Sequence, residues 1–157
     1  MDNSFRFVAL DSQSFQDLFS ADADDLKRRG IRRMRVDTTP GVPCRVSLTD
    51  ARPGETVVLL THVHHDVPTP FRASGPIFVR NGVEAARPAV NEVPGMFHHR
   101  QLSLRAYDAA GMLVDADIAP GDRLDIGIRD FFENVEIEYL QAHNAAQGCY
   151  LCRVERA

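Results

Sequence analysis

The sequence is poor in most features that announce a function. No apolar run approaches the roughly 18 residues a membrane span requires. The opening Met1-Asp2-Asn3-Ser4 lacks the basic and then apolar plan of a secretion signal. A cytoplasmic location with no membrane partner is therefore the expectation. The patterns Gly-x-Gly-x-x-Gly, Gly-x-x-x-x-Gly-Lys and Gly-x-Ser-x-Gly do not occur, which removes the common nucleotide-binding and serine-hydrolase signatures. Cysteine is scarce: Cys44, Cys149 and Cys152 are too few and too unevenly spaced for a disulfide framework, so reduced thiols are expected. Lysine is nearly missing, since Lys27 is the only one among 18 Lys and Arg residues. Arginine grips carboxylate and phosphate through a planar fork that an ammonium lacks, although a GC-rich genome also produces this skew.

What is present describes an ordinary globular domain. A chain of 157 residues, 44% hydrophobic and 25% charged, suffices for a single core. The formal charge is -4 and the pI about 5.8. The segment Lys27-Arg28-Arg29-Gly30-Ile31-Arg32-Arg33-Met34-Arg35 raises the question of nucleic acid. The acidic balance of the whole, with Asp22, Asp24 and Asp25 just upstream, argues against that partner.

Apolar spacing predicts a helix over 12–29, with Phe15, Leu18, Phe19, Ala23 and Leu26 on one face and Gly30 at its end. Asp22 offers an alternative start for a second helix there. From Ile31 the period changes to two, predicting strands over 31–37, 44–48, 55–64, 76–80, 101–108, 112–118, 135–142 and 149–155. Thr39-Pro40-Gly41-Val42 fits a type II turn, and Ala109-Ala110-Gly111 a hairpin. A second helix is expected near 121–133, where Leu124, Ile128, Phe131 and Phe132 share a face. The fold class is thus α+β, a single domain with a mainly antiparallel sheet, because helices do not alternate with the strands.

Four stretches recur in the order of a known family: Pro40-Gly41-Val42-Pro43-Cys44-Arg45, Gly75-Pro76-Ile77-Phe78-Val79-Arg80, Leu102-Ser103-Leu104-Arg105-Ala106-Tyr107, and His143-Asn144-Ala145-Ala146-Gln147-Gly148-Cys149-Tyr150. Together they resemble the bacterial family called domain of unknown function 1203, over nearly the whole chain. The resemblance implies that His143, Asn144, Gly148, Cys149, Cys44 and Arg45 occupy motif positions. The His run at 62–65 and Cys152 are not part of that pattern, and no particular chemistry is implied.

Three constellations could carry chemistry. His143 and Cys149, with Asn144 beside them, would form a catalytic group if the imidazole reached the thiol, because a nearby base or cation generates the nucleophilic thiolate. Asn144 and Gly148 are also plain turn formers. Cys149-Tyr150-Leu151-Cys152 has Cys-x-x-Cys spacing, but in a regular strand residues three apart point to opposite faces. His62 and His64 share one strand face and make half a metal site, for which His143, His98, His99 or Cys149 would have to supply a third ligand; the alternative is a pair of exposed imidazoles. Arg45, Arg72, Arg80, Arg100 and Arg105 crowd the middle of the chain, and Ser74 in the Pro-rich turn adds a hydroxyl. Arg45, Arg72, Ser74, Arg80 and Arg105 are the candidate anion ligands, against which stands simple ion pairing with the 22 acids.

The leading expectation is a small enzyme acting on an anionic carboxylate or phosphate metabolite. In it arginines bind the anion, His143 is the general acid/base, and Cys149 assists or attacks. The alternatives are a non-catalytic module binding an anion or a protein, and a metalloprotein using His62 and His64. No metal or other cofactor is assigned.

Overall fold

The structure, a computed structural model, describes residues 2–157. It is α+β with two antiparallel sheets, and its strands and helices follow from burial patterns that the sequence shows only in part. The chain opens with β1 (Phe5–Val8), whose Phe5 and Phe7 are buried while Arg6 and Val8 face out. The predicted helix over 12–29 is two pieces: one 3-10 turn at Gln16–Phe19, and α1 (Ala23–Arg28). Asp22 divides them, because its carboxylate accepts the backbone N–H of Asp25 at 2.8 Å and so caps α1.

A first sheet is built from β2 (Arg32–Arg35), β3 (Thr56–His65) and β4 (Ala73–Arg80), in the order β2-β3-β4. The stretch 44–48 is not a strand. Cys44, Val46 and Leu48 alternate and are buried, which imitates strand periodicity. Their backbone instead closes locally, with Leu48 N–H donating to Cys44 O and Leu48 at φ +53°. Gly41 has φ +156°, far from the value of about +80° that a type II turn needs, so that turn also differs from expectation.

The second sheet has β5 (Gln101–Tyr107), β6 (Leu113–Pro120), β7 (Tyr139–Asn144) and β8 (Tyr150–Arg156), in the order β1-β8-β7-β5-β6. The expected hairpin joins β5 to β6, with Gly111 at φ +85° and no room for a Cβ beside Val67. Beyond β6 lies one 3-10 turn, Gly121–Arg123, and then α2 (Leu124–Phe132). Gly121 is there for a steric reason: a Cβ would sit 1.6 Å from the carbonyl oxygen of Phe97.

α2 lays Leu124, Ile128 and Phe132 on one face of this sheet, against Leu102, Leu104, Ala106, Leu140, Ala142 and Val154. The opposite face carries Ser103, Arg105 and Tyr107 of β5 beside His143, Gln141 and Tyr139 of β7. A bulge between Ala142 and His143 puts the consecutive residues Leu151 and Cys152 both into the core and turns Tyr150 toward His143. β6 is a sheet edge, where the carboxylates of Asp115 and Asp117 accept the N–H groups of Ala116 and Ile118. No helix among the described residues is long and apolar enough to cross a membrane.

Candidate functional site

The C-terminal half of β3 lies over the polar face of the larger sheet and brings its histidines to β7. His64 stacks on Tyr150 with ring centroids 5.1 Å apart and meets His143 edge-on at 5.0 Å. Gln141 links the two imidazoles. Its Nε2 donates to the carbonyl of His64 at 2.8 Å, which leaves Oε1 facing His64 Nδ1 at 2.9 Å and His143 Nε2 at 3.2 Å. Since Oε1 only accepts, neutral His64 donates from Nδ1.

His143 is in a less settled position. Its Nδ1 lies 3.0 Å from the carbonyl of Gly148, so both ring nitrogens face oxygen acceptors. Burial, reinforced by the charges of Arg105, His64 and Arg45, holds its pKa down to about 3. The ring is neutral and has one proton for two acceptors. With Nδ1–H donating to Gly148, it fixes the peptide that leads into Cys149. His143 is 0% exposed, so no substrate touches it in this conformation. His65 is the contrast: its Nδ1–H donates to Phe71 O at 2.8 Å and its Nε2 accepts from the Tyr139 hydroxyl at 2.7 Å.

Cys149 has different neighbours. It is partly exposed and free, and its sulfur accepts a hydrogen bond from Asn144 Nδ2 at 3.1 Å. Asn144 and Cys149 are held together by Asn144 N–H donating to Cys149 O at 2.9 Å, across the tight turn that Gly148 completes. On the other side stands Arg45, 1% exposed, whose Nε donates to Tyr150 O at 2.8 Å and Nη1 to Pro43 O at 2.7 Å. No ion pair among the described residues includes Arg45. Burial lowers its pKa, while the sulfurs of Cys149 and Cys44 oppose that shift. His143 and Cys149 share no side-chain hydrogen bond; the imidazole acts on the thiol only through the Gly148 carbonyl.

Against this geometry, the model of the family described as "Protein of unknown function (DUF1203)" matches residues 41–156. The chain belongs to this family. Neither a curated protein nor a solved structure gives a match. The DUF1203 segment includes every residue around Cys149, and it gathers Arg45 from its start with His143, Asn144 and Cys149 from its end.

Other expected residues lie apart. Arg72 pairs with Asp66 at 3.1 Å on an exposed loop, and Ser74 is exposed on β4. Arg80 donates to Glu55, Ser47 and Thr49. Arg105 is part-buried on the polar sheet face and reaches only Ser103 Oγ, at 3.4 Å. His62 sits near Phe15 and Tyr150, and burial lowers its pKa, as it does that of His64. Among the described residues no group of three or more His, Cys, Asp or Glu side chains is placed to hold a metal ion. Cys152 is buried in the core near Val8 O, its pKa pushed up to about 12 by that burial.

Sequence reading left Arg100 out of the anion ligands and passed over Asp50 altogether. Arg100 donates two hydrogen bonds to Asp50 and one to Met96 O, and His99 Nε2 lies 3.4 Å from Asp50. Beside them a pocket of about 250 Å³ opens between the Pro40–Pro43 turn and the β7–β8 loop. The adjacency of His98, His99 and Arg100 was the available signal.

Proposed function

We propose that the protein is a small enzyme that acts on an anionic metabolite through Cys149. One observation carries this reading: the sulfur of a partly exposed cysteine takes the Asn144 amide, and it lies in the electrostatic field of the buried Arg45 guanidinium, which has no carboxylate partner among the described residues. N–H donors and a cation are the surroundings that a nucleophilic thiolate needs. A structural cysteine would not require a buried positive charge, because an unpaired ion in the interior is costly. His143 serves by holding the Gly148–Cys149 peptide, a positioning role in place of the acid/base role expected from sequence, since its ring is buried and its single N–H is given to the Gly148 carbonyl.

Alkylation of the native protein with iodoacetamide, followed by peptide mapping, tests this. Cys149 should be modified while Cys44 and Cys152, both buried, stay protected. A Cys149 that reacts no faster than those two sinks the proposal. That outcome would favour a non-catalytic anion-binding module, which the buried charge of Arg45 also supports, with the sulfur acting only as a hydrogen-bond acceptor.

A further inference from the structure

We propose that the outer edge of β2 and the groove beside it dock an extended acidic segment of another protein, which adds to the smaller sheet as a further strand. The site is separate from the thiol at Cys149 and does not depend on its chemistry.

The edge is open and its polar groups point outward. β2 ends the smaller sheet, and all four of its residues are exposed. Val36 N–H donates to Glu55 O, and the register sets Arg35 opposite Thr56. Arg35 and Thr56 are therefore a pair that exchanges no hydrogen bonds, and the alternation of an antiparallel ladder turns the N–H and C=O of Arg33 and Arg35 away from β3. Ile31, the preceding residue of that outward series, shows the direction: its N–H donates to Leu26 O of α1 at 2.9 Å. Beyond Ile31, no element among the described residues pairs with the outward groups of Arg33 and Arg35. The β6 edge is built differently, since Asp115 and Asp117 occupy two of its donors.

Beside this edge, α1 and β2 border a groove of about 690 Å³, within the range of roughly 300–1,000 Å³ of ordinary binding sites. Ala23, Leu26, Ile31 and Met34 give it an apolar lining, and Met34 is left 41% exposed. Apolar side chains of an added strand find cover there.

Charge decides the partner. Lys27, Arg32 and Arg33 line the groove, and no carboxylate does. Arg33 Nη1 donates to the carbonyls of Leu18, Phe19 and Ala21, whereas Lys27, Arg32 and Arg35 enter no ion pair among the described residues. An acidic peptide answers all three features: its main chain both donates and accepts along the edge, its apolar side chains enter the groove, and its carboxylates meet the free cations. A nucleic acid answers only the charge. Its phosphates accept without donating, and no aromatic side chain lines the groove for a base to stack on.

Fluorescence anisotropy on the intact chain tests this with a labelled octapeptide of alternating glutamate and valine, blocked at both ends. The peptide should bind, and methylation of all its backbone nitrogens should weaken it by about tenfold or more. A thymidine oligonucleotide of equal charge should be weaker by a similar factor, as should the peptide on Arg32→Glu. Arg35→Pro removes an outward N–H and leaves the β2–β3 ladder intact, so it should weaken binding well beyond Arg35→Gln, which loses the same charge. On saturation, amide hydrogen exchange at Arg33 and Arg35 should slow by about tenfold or more. No binding of the octapeptide, equal binding of its methylated form or of the oligonucleotide, or unchanged exchange at Arg33 and Arg35 overturns strand addition. The methylated peptide decides the question on the native chain if Arg35→Pro does not fold.

Discussion

The two faces of the larger sheet are built from alternate residues of the same strands and do opposite work. On one, Leu102, Leu104, Ala106, Leu140 and Ala142 are sealed under α2 without a polar group among them. On the other, Gln141 joins His64 of β3 to His143 through hydrogen bonds that are not all satisfied at once, with Ser103 and Arg105 beside them. The apolar face holds the fold together. The polar face makes stability and geometry depend on protons.

The comparison breaks most sharply at Phe132, which is 0% exposed on α2. Phe132→Ala should cost about 3–5 kcal/mol in urea unfolding, from lost transfer energy and the cavity left behind. A cost below 1 kcal/mol would mean that α2 is not the lid of this core.

Next comes the pH response of the polar face. His143 titrates at about 3 in the folded protein, against about 6.5 when unfolded, so below pH 6.5 the unfolded chain binds the extra proton. Stability from this group is complete above pH 6.5 and is lost as pH falls toward 3, at about 1.4 kcal/mol per pH unit, or roughly 2 kcal/mol between pH 6.5 and 5. His62 and His64, also lowered by burial, act in the same direction. Urea midpoints across that range should fall more gently for His143→Gln than for the native chain; equal slopes would place the titration elsewhere.

A smaller effect is expected at Asn144. Asn144→Ala removes the donor to the Cys149 sulfur and should slow iodoacetamide alkylation there by about tenfold, equivalent to about 1.4 kcal/mol. An unchanged rate would show that the amide only shapes the turn. The least effect belongs to Arg72→Ala: the Asp66–Arg72 pair is 76% and 56% exposed, so unfolding free energy should move by no more than about 0.5 kcal/mol. A larger loss would give that loop a role outside this two-face picture.

These contrasts also explain which parts of the protein the sequence discloses. α2 is legible because Leu124, Ile128 and Phe132 repeat at helical spacing and stay buried. The hairpin at Gly111 and the alternation in β5 are equally plain. The segment 44–48 deceives because a turn buried on all sides has the same apolar content as a strand, and only its local hydrogen bonds distinguish it. β1 carried its signal openly, in the alternation of Phe5, Arg6, Phe7 and Val8, but was hidden next to a chain start. For the site, His143, Asn144 and Cys149 could be selected from one short segment. That Arg45, 105 residues from Tyr150, would donate to the Tyr150 carbonyl follows only from the sheet-to-sheet packing. Arg72 and Arg80 look identical to Arg45 in sequence, and their carboxylate partners set them apart.

The Asp115 and Asp117 carboxylates on β6 have a consequence for the protein at high concentration. A sheet that ends in free N–H groups is a template on which another chain can add a strand, and from there a fibre can grow. Here two of the donors on the last strand are already occupied by the side chains that precede them, and each brings a negative charge that a second acidic copy would have to approach. The β6 border of the larger sheet is thereby kept closed to neighbours while the chain is being made and while it is crowded among its copies.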